Sequence, residues 1–254
     1  MCLIAFDWQP ADGRLLLLAN RDEFHARPTA PAGWWPEHPG LWAGRDLQAG
    51  GTWLGITRSG RFAALTNFRE GALQAGKRSR GELVTGFLTG ERSPAEYVRQ
   101  VLQRGDDYAG FNLLVGDLRS GAFYYGGNRC EAGAHALQAG IYGLSNGLLN
   151  TPWPKTVRLK RGLAGLTAGD DDAALALLSD PTRAPDAALP ETGVPFELER
   201  RLSSVFITGD DYGTRSQTVL SVEQGRVRIL EQGRGPRGRL LHRRRAEWRL
   251  APGV

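Results

Sequence analysis

The chain has 254 residues, enough for one large domain or two small ones. Hydrophobic residues make up 41% of it, and 32 Lys and Arg against 27 Asp and Glu give a net charge of +5, an excess too mild to require a nucleic-acid partner. Its two cysteines, Cys2 and Cys130, exclude a disulfide framework and fit a reducing compartment.

The first elements along the chain are predicted to be strands. Cys2–Trp8 is short and apolar, and the turn signal Asp12-Gly13 joins it to a second apolar run, Arg14–Ala19, so the two form a hairpin. The tetrad Asn20-Arg21-Asp22-Glu23 is expected to end the second strand. Residues 25–50 hold several Pro and Gly residues, which predicts a loop.

Hairpins and helices alternate along the rest of the chain. Capping-box patterns that begin at Ser79 and Ser93 predict two helices, and the Pro-rich residues 180–197 predict a loop. The predicted strands are Thr52–Thr57, Arg61–Asn67, Phe111–Asp117, Ala122–Tyr125, Gly140–Ser145, Ser204–Thr208, Gln217–Glu223 and Val227–Gln232. The predicted helices are about Arg80–Leu88, Pro94–Gln103, Thr151–Leu166 and Asp172–Leu178.

This pattern predicts the fold class. Antiparallel hairpins dominate and no βαβ rhythm occurs, so the natural layering is α+β, with two antiparallel sheets and helices segregated outside them. No domain boundary is evident, and we expect a single domain over 1–254. We find no signal-peptide pattern and no run of about 18 apolar residues, and therefore expect a soluble, cytoplasmic protein.

Arginines crowd the segment 234–249. Two sharper interpretations are binding of nucleic-acid phosphates and binding of anionic lipid or CoA phosphates. A solvated surface segment is the simpler interpretation, and we favour it because no nucleic-acid motif accompanies the arginines.

Cys2 stands directly behind Met1. Removal of Met1, which a small second residue favours, would leave a cysteine with both a thiol and a free α-amine. The pKa of a free thiol is about 8.5 and that of a free α-amine about 7.7–8.0, so one residue would carry a nucleophile and its own base. The alternative, which position alone favours, is a small buried residue that begins the first strand.

Five polar clusters lie at strand ends or in turns, and each alone is typical of a turn. They are Cys2, Asn20–Glu23, Thr66-Asn67-Phe68-Arg69, Gly143-Leu144-Ser145-Asn146 and Tyr212-Gly213-Thr214-Arg215-Ser216. Together with Gly51-Thr52-Trp53-Leu54-Gly55, and in this order, they resemble the NRDE family, also known as the transport and Golgi organisation protein 2 family. The resemblance runs from Met1 to about Leu230.

The resemblance implies an N-terminal nucleophile hydrolase fold, a four-layer αββα sandwich. Relatives of that fold with an N-terminal cysteine cleave non-peptide amides through an acyl-enzyme and need no cofactor. The resemblance also implies roles for six residues. Cys2 would be the nucleophile, Arg21 a cation that holds the thiolate, and Asp22 a carboxylate that orients the α-amine. Asn67 and Asn146 would be two asparagines near the nucleophile, one of which donates to an oxyanion, and Arg215 would be a bracing arginine.

The tetrad departs from the pattern of the cysteine acylases, in which two residues separate the early Arg from the Asp. Here Arg21 and Asp22 are adjacent. Neighbours in a strand point to opposite faces, so both reach one site only if the strand has already turned. Otherwise Asn20 shares a face with Asp22, or Arg21 with Glu23.

The alternative function is a non-catalytic binding or trafficking protein, because members of this family have also been linked to haem, lipid and acyl-CoA. Trp34, Trp35, Trp42 and Trp53, with His25 and His38 nearby, either line an apolar pocket or pack beneath a long loop, and we favour packing. The histidines lack paired metal-ligand spacing, so no structural zinc is expected. The expected partner is a small amide or acyl compound, acyl-CoA or haem.

Overall fold

The computed structural model describes residues 2–71 and 76–251. Six strands form the first sheet, here sheet A, and every neighbouring pair is antiparallel. In spatial order they are β10 (Gly140–Leu144), β1 (Cys2–Gln9), β2 (Arg14–Phe24), β11 (Tyr212–Glu223), β12 (Arg226–Arg234) and β13 (Leu240–Arg249). The predicted first hairpin therefore forms the centre of a sheet that the C-terminal strands complete.

Seven strands form the second sheet, sheet B, which is also antiparallel. In spatial and chain order they are β3 (Thr29–Trp35), β4 (His38–Asp46), β5 (Leu54–Thr57), β6 (Arg61–Asn67), β7 (Phe111–Asp117), β8 (Ala122–Gly127) and β9 (His135–Ala136). Because strands that are neighbours in sequence pair here, this sheet follows from local hairpin signals.

The two sheets pack face to face. Alternate residues of β1, Ile4, Phe6 and Trp8, are buried in the core between the sheets. The intervening Leu3 and Ala5 belong to a second core, between sheet A and the helices that cover it. A strand buried on both faces reads as a continuous apolar run, which explains the composition of β1.

Helices cover the outer face of each sheet. The first pair, α1 (Gly81–Leu88) and α2 (Pro94–Leu102), packs on sheet B, and the second pair, α3 (Pro154–Ala164) and α4 (Asp171–Leu178), packs on sheet A. The order of layers is thus helix, sheet, sheet, helix, which confirms the predicted fold class. Ser93 forms the predicted capping box with Glu96, whereas the side chain of Ser79 does not cap α1.

The prediction of a loop over residues 25–50 is wrong. These residues form the β3–β4 hairpin, in which Trp34 pairs with Trp42. Pro31 is tolerated because β3 is the edge strand of sheet B and its register shifts between Ala30 and Gly33. Trp35 and Trp42 are buried, and Trp34 and Trp53 are partly buried and pack against the core. The tryptophan group therefore packs as favoured, but its first three members lie within a hairpin and not beneath a long loop.

Three other predictions are corrected. Ser204–Thr208 is not a strand, although its apolar residues are buried, because the backbone amide of Phe206 bonds to Asp180 and that of Ile207 to the Thr214 hydroxyl. The predicted loop at 180–197 ends in a short helix, α5 (Phe196–Arg201). β2 continues through the tetrad to Phe24.

Residues 240–249 of the arginine-rich segment form β13 (Leu240–Arg249), an edge strand of sheet A that the sequence did not predict. Trp248 faces inward and stacks edge-on against Trp34, with ring centroids 5.0 Å apart. Arg243 and Arg245 lie 3.5 and 3.4 Å from Asp172 and Asp171 at the start of α4. Across the described ranges, none of the helices combines the length and apolar character needed to cross a bilayer.

Candidate active site

Cys2 lies on the wall of a cleft between the ends of the two sheets. Cys2 is 6% exposed, and β1 places it opposite Arg21 of β2. The cleft has a volume of about 660 Å³. Its lining also includes Arg21–Glu23 of the tetrad, the end of β4, the segment between β4 and β5, the end of β6 and the start of α1. A thiol at this position faces a space large enough for a small organic ligand.

Burial sets the electrostatic state of the Cys2 thiol. Desolvation raises its pKa, the charges of Asp22 and Glu23 raise it further, and Arg21 opposes them. The hydroxyl of Ser145 donates to the Cys2 carbonyl at 3.2 Å and ties the start of β1 to the segment after β10. The state of Met1, and hence of the α-amine, lies outside the described residues.

The structure resolves the alternatives for the tetrad, because β2 does not turn before Phe24. Arg21 and Glu23 share the face of Cys2, and the Arg21 Nη2 lies 3.7 Å from the Glu23 Oε2. Asn20 points to the helix side, where its Nδ2 donates to Leu178 and Val205 carbonyls at 2.8 Å. Of the two alternatives for the tetrad, Arg21 therefore shares the cleft face with Glu23.

Asp22 borders the cleft, and one of its carboxylate oxygens bonds towards the helix layer. Its Oδ1 accepts a hydrogen bond from the Thr214 hydroxyl at 2.8 Å, and that hydroxyl also accepts from the Ile207 amide. Burial raises the pKa of Asp22, and the positive charges of Lys155 and Arg69 act against this rise.

A cluster of buried charges lies on the helix side of sheet A, behind Asp22. Arg69 and Glu199 form an ion pair at 2.5 Å with side chains 5% and 4% exposed. Lys155 of α3 is 2% exposed and donates to the Leu202 carbonyl at 2.9 Å. Burial lowers the pKa of Lys155 to about 8. Sequence reasoning missed Lys155, since a single lysine in a helix gives no local signal of burial.

The two asparagines have different positions. Asn67 ends β6 and lines the cleft. Asn146 is fully buried, and its Nδ2 donates to the Asn67 carbonyl at 2.8 Å. Its own carbonyl accepts from the Arg69 amide at 2.7 Å. Asn146 thus fixes the backbone at Asn67 and is not among the described residues that line the cleft.

Arg215 lies apart from the cleft. The register between β2 and β11 shifts between Thr214 and Ser216, and this bulge redirects the intervening Arg215. Its Nη1 donates to the carbonyls of Phe24 and His25 at 2.8 Å. Arg215 therefore holds the turn that follows β2.

Several cleft residues carried no clear signal in the sequence. Arg80 precedes α1, and Asp46 ends β4. Trp53, by contrast, belongs to the Gly51–Gly55 motif and to the tryptophan group for which a pocket lining is one of the two interpretations. In that motif Gly51 lets the chain pass against Gly81, since a Cβ at Gly51 would lie 2.7 Å from the Gly81 carbonyl carbon. In the described part of the chain, no three His, Cys, Asp or Glu residues are grouped to hold a metal ion.

The sequence is similar to curated proteins of animals. The profile of the Transport and Golgi organisation 2 family matches residues 1–235. A Transport and Golgi organization protein 2 homolog of Bos taurus is 37% identical over 91% of this chain and 92% of its own length. The Homo sapiens homolog is 36% identical and the Drosophila melanogaster protein 28% identical, each over 91% of this chain and 92% of its own length.

Two solved structures are also similar. A mutant conjugated bile acid hydrolase from Clostridium perfringens shows 12% identity and a TM-score of 0.47, covering 90% of this chain and 88% of that one. A Caenorhabditis elegans ortholog of N-acylethanolamine-hydrolyzing acid amidase shows 13% identity and a TM-score of 0.45, covering 86% and 92% respectively.

Proposed function

This chain belongs to the Transport and Golgi organisation 2 family, and we propose that it hydrolyses a small non-peptide amide or related acyl compound through Cys2. The observation that carries the proposal is the position of the thiol on the wall of the 660 Å³ cleft, with Arg21 opposite and Asn67 on the same cleft. A nucleophile, a cation and an amide donor around one space are the groups that acyl transfer needs.

The reaction begins with removal of Met1, which frees the α-amine of Cys2. The amine takes the thiol proton, and the sulfur attacks the carbonyl carbon of the substrate. Arg21 favours the thiolate, and the side-chain amide of Asn67 donates to the oxyanion. The protonated amine then gives its proton to the leaving nitrogen, and the carbon–nitrogen bond breaks to leave a thioester on Cys2. Water attacks this thioester, which releases the acid and restores the thiol.

Other residues of the site act by position. Asp22 orients the α-amine, Asn146 holds the Asn67 backbone through the 2.8 Å hydrogen bond, and Arg215 braces the turn after β2. No cofactor takes part in this sequence of steps.

The test is acylation of the purified, untagged protein by a panel of small amides, esters and thioesters. We expect an acyl adduct on the Cys2 peptide and release of the leaving group, both abolished by Cys2→Ser. Cys130→Ser removes the other cysteine and serves as the matched control. Protein with a free Cys2 that gives no adduct and no turnover across the panel would contradict the proposal.

The second candidate is a non-catalytic binding or trafficking protein for acyl-CoA, lipid or haem. The observation that favours it is the burial of Cys2, which raises the pKa of the thiol and keeps it neutral, as in a site that binds without reacting. It predicts saturable binding that survives Cys2→Ser. Calorimetry with an acyl-CoA that shows no heat would exclude that ligand.

Haem fits this cleft less well than an acyl compound does. Haem iron takes His, Cys, Met or Tyr as its protein ligand, and among the described residues of the cleft only Cys2 is of these types. Trp53 and Leu65 are the large apolar side chains described in the lining, which is otherwise mainly polar or charged. A haem titration without a spectral shift would remove this version of the second candidate.

A further inference from the structure

The cleft carries more positive than negative charge. Six basic residues and three acidic residues line it within the part of the chain that the structure describes. The basic residues are Arg21, Arg27, Arg45, Lys77, Arg78 and Arg80, and the acidic residues are Asp22, Glu23 and Asp46. Field lines concentrate in a cleft with low-dielectric walls, so this imbalance attracts anions.

Five of the six cations already have carboxylate partners. The pairs are Arg21 with Glu23 and Asp46, Arg27 with Asp46, Arg45 with Glu37, Lys77 with Asp107, and Arg78 with Glu82. Their charges are therefore largely compensated within the protein.

Arg80 differs from these five. Its Nη1 donates to the Gly110 carbonyl at 3.0 Å, and it forms no ion pair with any described residue. The side chain is partly buried, and desolvation lowers its pKa, while negative charge at Cys2, Glu23 and Glu70 raises it. A guanidinium stays charged at neutral pH, so the cleft holds a partly desolvated cation that no described carboxylate contacts directly, although Glu23 and Glu70 act on it from a distance.

The backbone holds Arg80 in place. The next residue, Gly81, packs so closely on Gly51 that a Cβ at Gly51 would lie 2.7 Å from the Gly81 carbonyl carbon. Arg80 is thus fixed at the base of α1, on the same cleft as Cys2. Its free nitrogens can form the paired hydrogen bonds with which guanidinium groups bind carboxylates and phosphates.

We propose that Arg80 binds an anionic group, a carboxylate or a phosphate, of the ligand whose acyl part lies against Cys2. The proposal rests on the proposed function only for the statement that the acyl part faces the thiol. The site thereby selects acyl compounds with a negatively charged end over neutral ones of similar size.

Two alkylating reagents of similar size that differ in charge test the electrostatic environment of Cys2. Iodoacetate is an anion and iodoacetamide is neutral, and the ratio of their rate constants at Cys2 measures the attraction of an anion to this site. We expect Arg80→Met to lower the ratio about 3- to 30-fold and Arg80→Lys to lower it less. An unchanged ratio in folded Arg80→Met overturns the proposal.

Two controls accompany this measurement. Cys130, read from its own peptide in the same digest, should show the same ratio in every variant. Arg99→Met removes an arginine of α2 that does not line the cleft, and should leave the ratio at Cys2 within about twofold.

A second experiment needs no variant. Acetate and inorganic phosphate should slow the alkylation of Cys2 by iodoacetamide in a saturable manner, whereas acetamide should not. Protection by acetate alone assigns a carboxylate, and protection by phosphate alone assigns a phosphate. Equal rates with all three additives overturn the proposal. These readouts require no turnover, so absence of hydrolysis would refute the proposed reaction and leave the anion site standing.

Discussion

Replacement of Lys155 by methionine tests the cluster of buried charges behind Asp22. Lys155 is 2% exposed, and burial lowers its pKa from 10.5 to about 8. Between these two pH values the unfolded chain binds more protons than the folded one, so the free energy of unfolding rises with pH. Lys155→Met removes the titrating group and with it this part of the pH dependence.

The size of the effect follows from the shift in pKa. At about 1.4 kcal/mol per pKa unit, the full difference between 10.5 and about 8 corresponds to about 3 kcal/mol. Most of this is gained by pH 10. We therefore expect the unsubstituted protein to gain about 2–3 kcal/mol relative to Lys155→Met between pH 7 and pH 10.

The assay is urea denaturation of both proteins at pH 7, 8, 9 and 10. Lys160→Met removes a more exposed lysine of the same helix and is the control for loss of one lysine. Parallel pH profiles for the unsubstituted protein and Lys155→Met would refute the reasoning, because they would show that Lys155 is not desolvated in the fold.

Three further predictions concern the scaffold of the site. Glu199→Gln leaves the buried Arg69 without its counterion and should lower the free energy of unfolding by about 3–5 kcal/mol in urea; a loss below about 1 kcal/mol would contradict it. Gly51→Ala forces a methyl group against the Gly81 backbone and should cost about 1–3 kcal/mol, whereas Gly40→Ala, with open space around its Cβ, is the control; equal melting temperatures would contradict the close approach. Arg215→Met should speed amide deuterium exchange in residues 24–27, and unchanged exchange there would show that other contacts hold this turn.

The hairpins of the fold could be predicted because their signals are local. The pairing of β1 with β2, and of β5 with β6, follows from apolar runs separated by short turns. The β3–β4 hairpin was missed because Pro31 lies at a shift of register on an edge strand, a position that only the assembled sheet defines. The arginines of β13 concealed that strand, since charged residues suit an exposed edge.

The apolar run Ser204–Thr208 shows the opposite error. Its apolar side chains are buried, but its backbone amides bond to the Asp180 carbonyl and the Thr214 hydroxyl instead of a continuous strand ladder, and burial alone does not make a strand.

The candidate site could be located from the sequence but not assembled. Ordered motifs identified the family, and the structure places Cys2, Arg21, Asp22 and Asn67 around one cleft. Which face of β2 each tetrad residue occupies depends on its pairing with β1 and β11, so the sequence left two alternatives. Arg80 stands out because the carboxylates near the cleft pair with other cations, and these pairs can be identified only in the complete fold.

The intact mass of untagged protein, expressed without an N-terminal extension, tests the central claim most directly. The proposed reaction uses the free α-amine of Cys2 as its base, so it predicts a mass that is smaller than that of the full chain by one methionine residue. Quantitative retention of Met1 in protein that turns over a substrate would contradict the mechanism, and retention in inactive protein would favour the binding function.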